Sequence, residues 1–178
     1  TSNVGSYAIT GSGLTANNGN YVFVQAAGHN TGLTINAATL TYNATAATSI
    51  YGSTPSVNAG TVTGWKNSDN QANATTGTLL FSTAATATDN VGSYAITGSG
   101  LTANNGNYVF VQAAGNNTAL TINPAILTVT AGSTSKSYDG QAYVGGNGVS
   151  YSGFVNGQDA SILSGVITYG GTAQNAVN

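Results

Sequence analysis

The chain has 178 residues and only six charged side chains, Lys66, Asp69, Asp89, Lys136, Asp139 and Asp159, with no Arg, Glu, Cys or Met. Two cations cannot hold a phosphate backbone, which excludes nucleic acid as a partner, and the lack of Cys excludes disulfide staples and thiolate metal sites. No run reaches the roughly 18 consecutive apolar residues of a membrane helix, so no membrane insertion is expected of this segment, and any secretory signal is expected outside it.

With 25 glycines and many Thr, Ser and Asn, the composition borders on that of disordered chains. Yet 40% of the residues are hydrophobic, and ten are tyrosines. Such types are depleted in disorder, so the chain is read as folded. Helix formers other than Ala and Leu are rare, and Thr, Ser, Asn and Gly compete with or weaken a helical backbone. Strand runs begin at Ser6–Thr10 and continue at Tyr21–Gln25, Leu33–Ile35 and Leu40–Tyr42. Tyr21–Gln25 is apolar on both faces, as in a central strand or one covered by a neighbouring module. Asn18-Gly19, Asn105-Gly106, Asn147-Gly148 and Asn156-Gly157 tolerate the positive φ of tight reversals. Strands of about five residues with such turns predict an all-β chain of antiparallel β-sandwiches.

Residues 3–28 recur letter for letter at 90–115, an offset of 87. That period exceeds a solenoid repeat of roughly 20–50 residues and suits a small domain with its own core. Pro124 cannot donate to a ladder and belongs at a strand edge or junction. Module boundaries are therefore placed at about 37/38 and 124/125. Residues 1–37 are the C-terminal part of one module, 38–124 a complete module, and 125–178 the N-terminal part of the next. The two end pieces together make about one period. Either the chain is a window of a longer polypeptide, or each half is completed by a neighbouring copy head-to-tail.

The junction Ile122-Asn123-Pro124-Ala125-Ile126-Leu127-Thr128-Val129 resembles the I-T-P-A-x-L-T-V joint of the mostly bacterial immunoglobulin-like (MBG) and YDG modules. Lys136-Ser137-Tyr138-Asp139-Gly140 matches the K-x-Y-D-G pattern of that family. Ser152-Gly153-Phe154-Val155-Asn156-Gly157-Gln158-Asp159 and Asn90-Val91-Gly92-Ser93-Tyr94-Ala95-Ile96-Thr97 resemble two further segments of it. Such modules occur in tandem in large secreted bacterial adhesins, including filamentous-haemagglutinin-like exoproteins. The resemblance implies immunoglobulin-like modules in an extracellular, non-catalytic stalk or fibre at the bacterial cell surface or in a biofilm matrix. The middle module departs from the pattern: Ser49-Ile50-Tyr51-Gly52-Ser53 stands where the Lys and Asp of the later copy stand, and Trp65 fills the place of Phe154. Trp65 is expected as a core or junction aromatic.

No catalytic, cofactor-binding or metal-ligating residue is assigned. The single histidine, His29, exchanges with Asn116 between the repeats, which reads as a surface loop position rather than a base. Asp69 with Asn67 and Asn70, or Asp159 with Asn156, would offer oxygen ligands to calcium, but the residues form no EF-hand loop and suit turns instead. Lys66 and Lys136 are the only candidates for an isopeptide crosslink, and Lys136 is expected in an ordinary contact with Asp139. Asn43, Asn73 and Asn116 fit N-x-[ST], which in so Asn-rich a chain mostly marks exposure. Expected partners are neighbouring modules or copies, lateral self-association, and surface polysaccharide. A carbohydrate-binding array is the second reading, to be favoured by an exposed row of Tyr beside Asn or Gln; an accessory domain of a secreted hydrolase is a third.

Overall fold

The computed structural model describes residues 2–141 and 143–169, and the end of the expected third segment lies outside them. The chain is all-β: the described residues hold twelve strands and a single α-helix. In order these are β1 (Gly5–Tyr7), β2 (Leu33–Ile35), β3 (Ala38–Ala44), β4 (Ala47–Ile50), β5 (Gly60–Thr63), α1 (Gln71–Ala74), β6 (Thr75–Ser82), β7 (Gly92–Tyr94), β8 (Thr97–Ala103), β9 (Tyr108–Gln112), β10 (Leu120–Asn123), β11 (Thr128–Ala131) and β12 (Val149–Ser152). They fall into two compact units. The first joins Thr1–Ala47, Val57–Ala84 and Ser93–Leu120; the second joins Thr48–Ser56, Ala85–Gly92 and Thr121–Asn178.

The first unit is built around β3, whose alternation sends Leu40 and Tyr42 inward and Thr39 and Thr41 outward. On one edge β3 pairs antiparallel with β5, from Thr41↔Thr63 to Ala44↔Gly60. On the other it pairs in parallel with β9, from Ala38↔Tyr108 to Tyr42↔Gln112. The sheets are thus mixed rather than wholly antiparallel. A parallel pair needs a long connection, and here the chain between the two strands supplies β5, α1, β6 and β8 before returning. The two-stranded sheet β6–β8 carries a register shift between Gly77 and Leu80.

Tyr42 joins the sheets. Its ring stacks on Phe110 at 5.1 Å and meets Phe81 edge-on at 6.3 Å, a geometry favoured by the ring quadrupoles. Gly98 of β8 lies directly beneath it, since a Cβ there would come within 2.6 Å of the Tyr42 side chain. Leu40, Ala74 and Tyr108 form an adjoining cluster, with Trp65 packed against it. Trp65 donates its indole N–H to Val62 O at 3.0 Å and meets Tyr108 edge-on at 5.7 Å. It is the half-buried core aromatic that its place opposite Phe154 suggested.

Helix α1 was not expected. Asn70 caps it, its side chain accepting from Ala72 and Asn73 N–H while Asn73 Oδ1 accepts from Asn70 N–H. The reciprocal capping satisfies donors that a single turn would otherwise leave open. Next to it, Tyr108 donates its hydroxyl to Asp69 Oδ2 at 2.6 Å and accepts from Lys66 N–H at 3.0 Å. Burial pushes the Tyr108 hydroxyl above its ordinary pKa, and the Asp69 carboxylate pushes it further. Because the folded value lies above the unfolded one of about 10, the stabilisation is complete below pH ~10 and is lost as pH rises beyond it. Urea unfolding across alkaline pH should therefore show this unit losing stability above pH ~10, and Tyr108→Phe should remove that part of the loss.

In the second unit, Thr48–Ile50 of β4 lie beside Thr121–Asn123 of β10, and Tyr51 N–H donates to Asn123 O at 2.8 Å. β11 and β12 pair antiparallel, from Thr128↔Ser152 to Ala131↔Val149. Tyr151 and Phe154 pack ring to ring at 5.9 Å.

Candidate functional site

The repeated stretch is present in two states. In the later copy, β8 and β9 have partners; in the earlier copy the identical residues have none, and Tyr21–Gln25, expected as a strand, does not form one. A strand needs a neighbour to take its backbone groups, and the later copy finds it in β3. Burial follows pairing. Tyr108 is 6% exposed and Tyr21 78%; Leu101 is 9% exposed and Leu14 75%; Ile96 is 1% exposed and Ile9 51%.

What the two copies share is their internal scaffold. Gln112 grips Gly98, accepting its N–H at 2.9 Å and donating to its O at 2.7 Å. Gln25 grips Gly11 in the same way, at 3.2 and 2.6 Å. Ile96 N–H donates to Asn116 O at 2.8 Å, as Ile9 N–H does to His29 O. These bonds are local, so they form with or without a partner strand. The early copy keeps this scaffold without paired strands at these positions, and a cleft of about 290 Å³ opens beside Gly11, Leu14 and Phe23.

A second arrangement occurs in the second unit. Tyr51-Gly52 turns back at the end of β4, with Gly52 at φ 92°. A Cβ on Gly52 would lie 2.6 Å from Val155, so the glycine is required by close packing as well as by its backbone angle. Tyr51 Oη receives a hydrogen bond from Gln158 Nε2 at 2.9 Å, and Ala87 O accepts from both Gly52 N–H and Asn156 Nδ2. This turn therefore grips the loop that follows β12.

Residues 40–118 match the model of the MBG domain, YGX type. These residues form an MBG domain. Tyr51-Gly52-Ser53, which departs from the YDG pattern of the later segment, carries the Tyr-Gly order of the matched type. MBG domains are repeat modules typical of extracellular bacterial surface proteins. Comparison with curated proteins and with solved structures returned no match.

Within the MBG domain, the exchange of His29 for Asn116 has a different meaning from that expected. Asn116 is not a surface loop residue. It is buried, its Oδ1 accepts from Ala44 N–H at 2.9 Å, and its Nδ2 donates to Tyr42 O and Gln112 Oε1, each at 3.0 Å. It pins the end of β3 to the turn after β9, and its burial also removes it as an exposed glycosylation position. His29, at the matching place, is exposed and contacts Gln25 Oε1 at 3.1 Å. The functional residue that was missed is Gln112 with its clamp on Gly98; its only signal was recurrence as Gln25 with Gly11.

The oxygen-rich candidates act in turns and caps. Asn67 and Asn156 both adopt φ 54°. Asp159 caps the turn Ala160–Ile162 through Ser161 N–H at 2.8 Å, and hydrogen bonding to Ser161 holds its carboxyl below the ordinary range. Lys136 pairs with Asp139 at 2.7 Å on the surface and donates to Gln141 O. The bond from Lys136 lowers the Asp139 pKa. Among the described residues no group of three or more His, Cys, Asp or Glu converges as a metal site would require.

Proposed function

We propose that the chain is a non-catalytic stalk or fibre segment of a secreted bacterial surface adhesin or matrix filament, built of MBG modules joined at about 37/38 and 124/125. The observation that carries this reading is the use made of the tyrosines in the MBG domain. Tyr42 and Tyr108 are core residues, and Tyr51 and Tyr94 are half-buried. A sugar platform needs exposed rings, so these side chains serve packing and the joint instead. Stacked end to end, compact modules of this size each add roughly 30–40 Å of length. With six charged residues per chain, repulsion between neighbouring stalks is weak, which favours lateral association over electrostatic steering.

The test is immunogold labelling of the intact producing bacterium with antibodies raised against residues 38–124. Label along projections from the cell surface is the expected result. Label confined to the cell interior would overturn the reading, and retention of the chain on a neutral glycan array would favour the carbohydrate-binding alternative.

A further inference from the structure

We propose that residue 52 selects which kind of module can follow. A Tyr-Gly turn, as at Tyr51-Gly52, accepts a following loop with Val at the place of Val155; a Tyr-Asp-Gly turn, as at Tyr138-Asp139-Gly140, excludes it. The selection rests on the reading above in one respect, that a new module begins at about residue 125.

Turn and loop meet inside the second unit. Thr48–Ser56 and Ala85–Gly92, both within the matched residues 40–118, belong to that unit together with the loop after β12. Two of these segments converge on one carbonyl of the third. Ala87 O accepts from Gly52 N–H and from Asn156 Nδ2, each at 3.0 Å, which uses both of its lone pairs. Tyr51 Oη accepts from Gln158 Nε2 at 2.9 Å. Tyr51, Gly52, Ala87, Val155 and Gln158 are all half-buried.

The contact that discriminates is apolar. A Cβ on Gly52 would come within 2.6 Å of Val155 Cβ, 2.7 Å of its Cγ2 and 2.9 Å of its Cγ1. Non-bonded atoms do not approach so closely, so any side chain at 52 must displace the loop. The backbone agrees, since φ 92° suits glycine and strains other residues. Val155 is seated where the side chain of residue 52 would be.

A turn of the other kind has no such seat. Ser49-Ile50-Tyr51-Gly52-Ser53 matches Lys136-Ser137-Tyr138-Asp139-Gly140, which sets Asp139 at the place of Gly52 and moves the glycine one residue on. Gly140 takes the positive φ, at 70°, and the Asp139 carboxylate pairs with Lys136 at 2.7 Å. Such a charged group would stand in the space that Val155 fills, and burying it against the valine would cost its hydration. The loops differ at the same contact. Lys66-Asn67-Ser68-Asp69 matches Val155-Asn156-Gly157-Gln158, and the Asn of each has φ 54°, so the frame is kept while Lys stands for Val. Turn and loop each occur in two versions, and the pair that meets here is Gly52 with Val155.

Hydrogen exchange on the intact chain, read by mass spectrometry, tests this. Gln158→Ala should speed exchange in 48–56 by roughly fivefold, the share of a single hydrogen bond. Tyr51→Phe should do the same, and combining the two should add nothing further. Gly52→Asp with Ser53→Gly writes the Tyr-Asp-Gly order into the first turn, and should speed exchange in both 48–56 and 153–160 by roughly tenfold or more. In a chain already carrying Val155→Gly, where the seat is vacant, the same pair of changes should have several-fold less effect. Residues 38–44 and 108–112, paired in the first unit, should exchange as before in every variant. An equal effect with and without Val155 would overturn the proposal and leave the module reading standing. Acceleration spread equally over 38–44 and 108–112 would overturn both, because turn and loop would then open as one body with β3 and β9.

Discussion

Leu120→Ala is expected to destabilise the first unit by about 3 kcal/mol, and Leu33→Ala, at the matching place of the earlier repeat, by less than ~0.5 kcal/mol. Leu120 has no exposed surface, whereas nearly half of Leu33 meets solvent. Truncating a buried leucine loses its transfer free energy and leaves a cavity that the surrounding sheets cannot fully close. Truncating an exposed one removes surface that water already covered. For a domain of this size the first loss corresponds to a fall in melting temperature of roughly 15 °C. Thermal unfolding of both variants at low protein concentration measures the difference. The comparison is unusually clean because Leu33 and Leu120 are each followed by the same Thr-Ile-Asn. Equal losses at the two sites would mean that Leu33 is buried under those conditions.

The same pair of stretches shows how much of the fold could be read in the letters. Alternation in Leu40-Thr41-Tyr42 announced β3 because the period belongs to the strand itself. Positive φ at Asn105, Asn156 and their following glycines was legible for a similar reason, since the residue types alone favour it. Pairing was not legible. Tyr21–Gln25 and Tyr108–Gln112 are identical, yet only the second is a strand, and what separates them is β3, more than sixty residues away in sequence. No local pattern contains that partner, nor does it say that the pairing is parallel. Helix α1 escaped because Asn70 and Asn73 are turn formers until their side chains cap each other. Turn residues Tyr51 and Gly52 depart from the YDG pattern, yet they are the contacts that hold the loop after β12.

Asn116→Ala is expected to cost about 3 kcal/mol, comparable to the loss of a core leucine although only a polar side chain is removed. The carboxamide satisfies Ala44 N–H and Tyr42 C=O at once, and both sit where water cannot replace it without opening β3 from the turn. A buried group left without its partner costs about 1–3 kcal/mol, and this substitution orphans two backbone groups and the Gln112 side-chain oxygen's second donor. Asn116→His tests the exchange that the repeats themselves contain. A neutral imidazole offers one acceptor and one donor, so it can replace two of the three bonds, and its stability should fall between those of Asn and Ala. Asn116→Asp keeps the acceptor for Ala44 N–H but loses the donors and buries a charge. Burial raises the pKa of that carboxyl, so the variant's stability should be greatest in acid and fall as pH rises through the folded value. His29→Ala, by contrast, should change the stability of the isolated chain by less than ~0.5 kcal/mol, because the exposed imidazole meets only Gln25. Urea unfolding of the four variants across pH measures the order. If Asn116→Ala were as mild as His29→Ala, the bonds from Asn116 to β3 would not be what closes the MBG domain.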